Sequence, residues 1–161
     1  MAIHASGTDS YILCEVAGTS YAMRSDDIEL LEMVGQITPV PNAAQFVDGI
    51  TSVRGRVVPV VSLRARFGFP RADHDLRSRL IVVRAQGRSV GFIADSAREF
   101  ASIAPDTVQP PPEGLAEMST QYLQGVAHLG ERLVFVLDVP ELLRISEPSI
   151  VVTADVLPAG A

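Results

Sequence analysis

His4, His74, His128 and Cys14 are the residues of this chain best suited to holding a metal or attacking a substrate. Their spacing suits neither task. A zinc site needs several thiolate or imidazole ligands at short separations, and these four are scattered, with one cysteine among them. Asp73-His74-Asp75 sets two carboxylates around an imidazole, an arrangement fit for a cation or for general acid–base work. A solvated, charge-rich loop accounts for the same triplet and is the preferred reading. There is no Gly-x-Ser-x-Gly turn, and no glycine-rich loop precedes a helix as a phosphate cradle would. Cys14 lies inside an apolar run and is read as buried and inert. No metal, no cofactor and no catalytic constellation are expected, so the chain reads as a binding protein and not an enzyme.

The chemistry the sequence does supply is cationic. All 13 basic residues are arginines, and nine lie from Arg54 to Arg88, opposed in that stretch only by Asp73 and Asp75. In a chain of net charge −6, such clustering suits docking against a complementary acidic surface. Arginines set on the wet faces of strands explain it equally well. A nucleic-acid-binding barrel using segment 54–88 is the alternative. It would want aromatics to stack bases, and only Phe67 and Phe69 occur there. The acidic whole also argues against nucleic acid as a partner.

These residues must be positioned by short strands. The 161 residues, 47% hydrophobic, suffice for one domain or two very small ones sharing a core. The runs Tyr11–Val16, Arg56–Leu63, Leu80–Val83, Val90–Ile93 and Leu133–Leu137 are compact, rich in β-branched residues and bounded by turn formers. Pro59 inside one run predicts a sheet edge or a bulge. Gln86-Gly87-Arg88 reads as a hairpin turn. Short helices are expected at Asn42–Phe46, at Leu63–Phe67 and from Pro140 to Arg144. A lone cysteine allows no internal disulfide. The N-terminus carries no leader pattern and no apolar run approaches the ~18–20 residues of a membrane span, so a cytoplasmic address is expected. Met1–Thr8 is read as a loose end. Pro110-Pro111-Pro112 is read as a stiff connector in preference to a polyproline docking segment.

An internal repeat is the most informative pattern. Phe46–Leu63 lies without gaps over Tyr122–Val139, so that Gly49 meets Gly125 and Arg56 meets Arg132. Pro39-Val40-Pro41 corresponds to Pro110-Pro111-Pro112. Two copies of this length predict duplicated sub-barrels. Neither half would bury enough surface alone, so the halves should pack together and leave a seam open to a partner.

The stretch Phe46–Arg64, with Gly49, Val53-Arg54-Gly55 and Val58-Pro59-Val60, resembles the signature of the CheW family, where Gly-Val-x-Asn-Leu-Arg-Gly precedes an Ile/Val-Pro-Val strand. The similarity continues through Val90–Asp95 and Glu99, then Ser119–Gly125 and Leu137–Leu143, in the family's order. It covers nearly all of Tyr11 to Arg144. The resemblance implies an all-β fold with short helices, built as two packed five-stranded SH3-like barrels. The single domain would run over 9–145, with a first copy near 19–70 and a second near 78–145, and 146–161 would be a C-terminal tail. It implies an adaptor joining the cytoplasmic tips of methyl-accepting chemoreceptors to the regulatory, CheW-like domain of the histidine kinase CheA. Such a protein would be a monomer in solution, assembled at membrane-associated receptor arrays without entering the membrane.

Particular residues follow from the same resemblance. Arg54 matches the family arginine at the receptor-binding groove, where a guanidinium can pair with a carboxylate. Its alternative is a turn arginine fastening carbonyls beside Gly55. Glu32 matches the family glutamate near that groove, or is an exposed strand carboxylate. Gly49 matches a glycine beside the binding surface, although turn geometry alone would explain it. Leu30 and Val53 are the groove's apolar floor, or plain core. Ser52 and Ser62 depart from the family's asparagine and aspartate, which bears on which receptor is served. The kinase-binding residues are not identified.

Overall fold

A computed structural model describes residues 9–85, 87–113 and 121–144. The expected loose end at 1–8, the tail at 146–161, and Gln86, Ser119 and Thr120 of the motifs lie outside the described residues. β1 (Asp9–Val16) and β2 (Thr19–Arg24) form the first hairpin. Ala17 and Gly18 turn it at φ 51° and 82°, a handedness that matches the twist of paired strands. β3 (Ile28–Met33) follows, then a hairpin of β4 (Val47–Val53) and β5 (Arg56–Ser62). Ser62 caps α1 (Leu63–Arg66), its hydroxyl accepting the Ala65 N–H at 3.1 Å.

The series then runs again. β6 (Arg79–Ala85) and β7 (Arg88–Ala94) make a hairpin, β8 (Ser96–Ile103) stands singly, and β9 (Leu123–Leu129) pairs with β10 (Arg132–Leu137). A short helix over 139–144 follows. Asp138 caps it as Ser62 caps α1, accepting the Glu141 N–H at 3.0 Å. The helices expected after β5 and after Pro140 are therefore present. The one expected at Asn42–Phe46 is not, because Asn42 sits at φ 61°, where a right-handed helix cannot start.

The class is mainly β, in two five-stranded sheets. Their make-up differs from the expected split at 19–70 and 78–145. One sheet is ordered β3-β6-β7-β5-β4 and is called the central module; the other, β8-β1-β2-β10-β9, is the terminal module. Each copy thus lends its leading hairpin to the three later strands of the other copy. The joints are two parallel pairs, β5 with β7 and β2 with β10. Pro59 is accordingly not at an edge, since β5 lies between β7 and β4. The β7 ladder begins at Val60, so the missing proline donor falls at its end.

Side chains alternate between two burial environments along each strand. Val53, Val58, Val60, Leu80, Val82 and Ile93, with Leu30 against them, form the core of the central module. Tyr11, Leu13, Ala22, Ile103, Ala127, Val134 and Val136 form that of the terminal module. Each core draws on all five strands of its sheet, as a sheet rolled into a barrel requires. The opposite faces, among them Ile12, Cys14, Val16, Ile81, Val83 and Phe92, meet in a third and larger core that the two helices complete with Leu63, Leu142 and Leu143. Phe67 lies 4.8 Å from the Tyr21 ring and 4.7 Å from that of Tyr122 within it. The seam expected to receive a partner is therefore packed solid. Burial on both faces explains why β5, β6 and β7 read as continuous apolar runs.

Candidate functional site

Rolling the central module brings its edge strands β3 and β4 together. Thr38 and Ile50 exchange backbone hydrogen bonds of 2.8 and 2.9 Å, and the Thr51 hydroxyl donates to the Gln36 carbonyl at 2.7 Å. Beside this closure opens a cleft of about 400 Å³, lined by Glu32, Met33, Gln36, Thr51, Ser52 and Val57 among others. Met33 and Val57 are 54% and 68% exposed. An acid flanked by two uncovered apolar side chains is what an amphipathic guest would meet.

Arg54 stands at the tip of the β4–β5 ribbon, next to Ser52 of the cleft, and is exposed. Its φ is +51°, a conformation that costs a residue with a Cβ roughly 1–2 kcal/mol. Among the described residues its guanidinium has no hydrogen-bond or ion-pair partner, so the role of fastening nearby carbonyls is not what it does. The equivalent turn of the terminal module carries Gly130 at φ 64°. One module thus relieves the strain with glycine while the other keeps an unpaired arginine there.

The other arginines of the basic segment are engaged. Arg56 donates to Glu29 at 2.6 Å, the Ser89 hydroxyl donates to the other Glu29 oxygen at 3.0 Å, and Arg84 lies 3.9 Å away. The Ser89 hydrogen bond leads in holding the Glu29 carboxyl below its usual range, with both guanidiniums adding to it. Arg71 meets Asp48 at 3.1 Å and the Gln45 carbonyl at 2.6 Å. Arg66 covers the Phe46 ring at 4.7 Å, and Arg79 donates to the Leu76 and Ser78 carbonyls. The acids Glu29, Asp48 and Asp95 come from outside segment 54–88. Part of the charge of the basic run is therefore met by acids distant in the sequence.

Arg64 and Asp95 form a contact that the sequence reading missed. Two guanidinium donors reach the Asp95 carboxylate at 2.9 and 2.8 Å, and the Ala17 N–H donates to it at 2.9 Å. Asp95 is the one residue between β7 and β8, where the chain passes from one module to the other. Burial pushes its carboxyl up, but the Arg64 and Ala17 donors together outweigh that and hold it low. The available signal was Asp95 itself, a charge closing the Val90–Ala94 run.

Three of the remaining expected site residues lie in or against the interior. Val53 is 1% exposed, inside the central core, and cannot touch a partner. Leu30 packs against the same core and is half-buried. Gly49 is buried at φ 146°, and a Cβ there would stand 2.1 Å from the Thr38 carbonyl oxygen. Gly125 has the same relation to the Gln109 oxygen, at 2.2 Å, so this close approach serves barrel closure in both modules. Glu32 alone of the five lines the cleft, with Arg54 beside it. Asp75 accepts the N–H groups of Arg77 and Ser78 at 2.8 and 3.2 Å, which fits the solvated-loop reading of its triplet. No cluster of three metal-ligating side chains occurs among the described residues. Burial pushes the Cys14 thiol up to about 12.

Residues 10–147 match the family of CheW-like domains. The Chemotaxis protein CheW of Klebsiella aerogenes is 27% identical over 141 residues, 88% of this chain and 85% of that protein. That of Helicobacter pylori is 33% identical over 119 residues, covering 73% and 72%. The crystal structure of the scaffolding protein TtCheW from Thermoanaerobacter tengcongensis superposes with a TM-score of 0.74 at 25% identity, covering 81% of this chain and 84% of that one.

Proposed function

The chain belongs to the CheW-like domain family, and from that premise we propose that it couples methyl-accepting chemoreceptors to the histidine kinase CheA. The family is one of chemotaxis scaffolds, so the chain acts by binding and not by turnover. In this reading a helical receptor tip lies along the cleft of the central module. Its apolar residues cover Met33 and Val57, Glu32 meets a donor, and Arg54 pairs with a carboxylate. The kinase's CheW-like regulatory domain docks on a different face, and receptor states that bind the scaffold differently bias kinase activity. No helix among the described residues is long and apolar enough to cross a membrane, so recruitment to membrane-associated arrays would rest on the receptor contact.

The observation that carries the reading is Arg54: strained, exposed and, among the described residues, without a hydrogen-bond or ion-pair partner beside the Glu32 cleft, where the sister turn has glycine. Reconstitution tests it. Receptor-containing membranes, CheA and ATP are mixed with this protein, and CheA autophosphorylation is followed. The protein should restore receptor control of the kinase, and Arg54→Ala should weaken receptor binding about 5- to 150-fold, the range for losing a hot-spot arginine, without lowering the melting temperature. Receptor binding unchanged by that substitution would remove Arg54 from the reading.

A further inference from the structure

Arg54 raises a question of precision. Among the described residues no hydrogen bond or ion pair holds its side chain, so the backbone of the β4–β5 turn sets where it meets a partner. That turn is anchored two residues on, where Arg56 donates to Glu29 at 2.6 Å. Glu29 gathers donors from three further strands: Arg56 on β5, Ser89 on β7 and Arg84 on β6. With Glu29 itself on β3, its carboxylate ties four of the central module's five strands together at the mouth of the barrel. The central module adds Ser89 and Arg84 to an Arg–Glu pair whose counterpart the terminal module also has. There Arg132, the counterpart of Arg56, is held by both oxygens of Glu99 at 3.1 and 3.0 Å, and the turn next to it carries Gly130.

We propose that Glu29 is a positioning residue for Arg54: by fastening Arg56, Arg84 and Ser89 to β3, it holds the β4–β5 turn where the Arg54 guanidinium can meet the partner's carboxylate. Holding the turn in place before binding spares the ordering cost that a loose ribbon would incur on association. The inference rests on the reading of Arg54 as a partner contact, and it makes a prediction of opposite sign to simple electrostatics. Removing an acid from among arginines should strengthen attraction to an acidic partner. Removing a positioning residue should weaken binding despite the added positive charge.

Calorimetry with a soluble cytoplasmic chemoreceptor fragment decides between them, using Glu29→Gln, Arg54→Ala and the conservative Glu29→Asp. Glu29→Gln should bind about 3- to 10-fold more weakly, with a shifted Arg54 backbone amide resonance and little change in melting temperature. Glu29→Asp, which keeps a carboxylate for these donors, should bind closer to wild type than Glu29→Gln. Binding by Glu29→Gln that equals or exceeds wild type overturns the proposal while leaving Arg54 intact as a contact. Unchanged binding by Arg54→Ala overturns the underlying reading, and is recognisable separately because it does not involve Glu29.

Discussion

Replacing Gly49 by alanine separates barrel closure from partner binding. The new Cβ would stand 2.1 Å from the Thr38 oxygen and 2.7 Å from its carbonyl carbon, with 3.0 Å to Pro39 Cα. Backbone cannot move aside as a flexible side chain would, so the Thr38–Ile50 bridge must open, losing two hydrogen bonds of 2.8 and 2.9 Å. At about 1 kcal/mol net each, that is roughly 2 kcal/mol. The φ of 146° adds about 1–3 kcal/mol for a residue with a side chain, giving about 3–5 kcal/mol in all. Gly125→Ala is the internal control. It meets the Gln109 oxygen at 2.2 Å and a Val108 methyl at 2.7 Å, but has no left-handed φ, so its cost should stay near 2 kcal/mol. At about 2–4 °C per kcal/mol for a domain of this size, thermal melts followed by circular dichroism should place Gly49→Ala about 6–20 °C below wild type, and Gly125→Ala about 4–8 °C below it. Hydrogen exchange should quicken at the Thr38 and Ile50 amides in the first variant only. If Gly49→Ala melts with the wild type yet loses receptor binding, the structural assignment is refuted and the glycine belongs to the binding surface.

Arg54→Asn should stabilise the fold by about 1 kcal/mol, because asparagine tolerates the left-handed turn better than arginine, while weakening receptor binding; a variant that gains neither stability nor a binding defect would show the turn to be unstrained. Asp95 has its carboxyl lowered by folding, so its pairing contributes stability above the unfolded value near pH 4 and loses it as pH falls through the lower folded value. Urea unfolding at pH 7, 4 and 3 should therefore find Asp95→Asn less stable than wild type at pH 7 and the difference shrinking at pH 3; a gap that widens on acidification contradicts this. Cys14, buried and with its thiol raised to about 12, should resist a disulfide-exchange reagent at pH 8 in the native protein and react at once in denaturant; rapid native labelling would show the junction core to be open.

What could be read in the sequence was local, and what could not was long-range. The Phe46–Leu63 and Tyr122–Val139 runs overlay because each encodes a hairpin and a capped helix by neighbouring residues, and the structure repeats both, down to the Ser62 and Asp138 caps. The exchange of leading hairpins was not legible, because nothing local specifies that β2 pairs with β10 or β5 with β7. Glu29 was invisible as the partner of Arg56, 27 residues away, so the basic segment read as a run of free charge. Val53 and Ser52 are neighbours on β4, and only the rolled geometry decides that the first is core and the second lines the cleft.

The duplication itself supplies the last step. A feature present at equivalent positions in both modules answers a demand of the fold, since both barrels must close: Gly49 with Gly125, the bridges of Ile50 with Thr38 and of Val126 with Gln109, and the helix caps. A feature present in one module only is free of that demand. Arg54 against Gly130 is such a departure, and it lies on the unfavourable side, since the arginine bears the strain the glycine avoids. In the proposed reading, the receptor carboxylate paired with this guanidinium offsets the roughly 1–2 kcal/mol that the turn costs the fold.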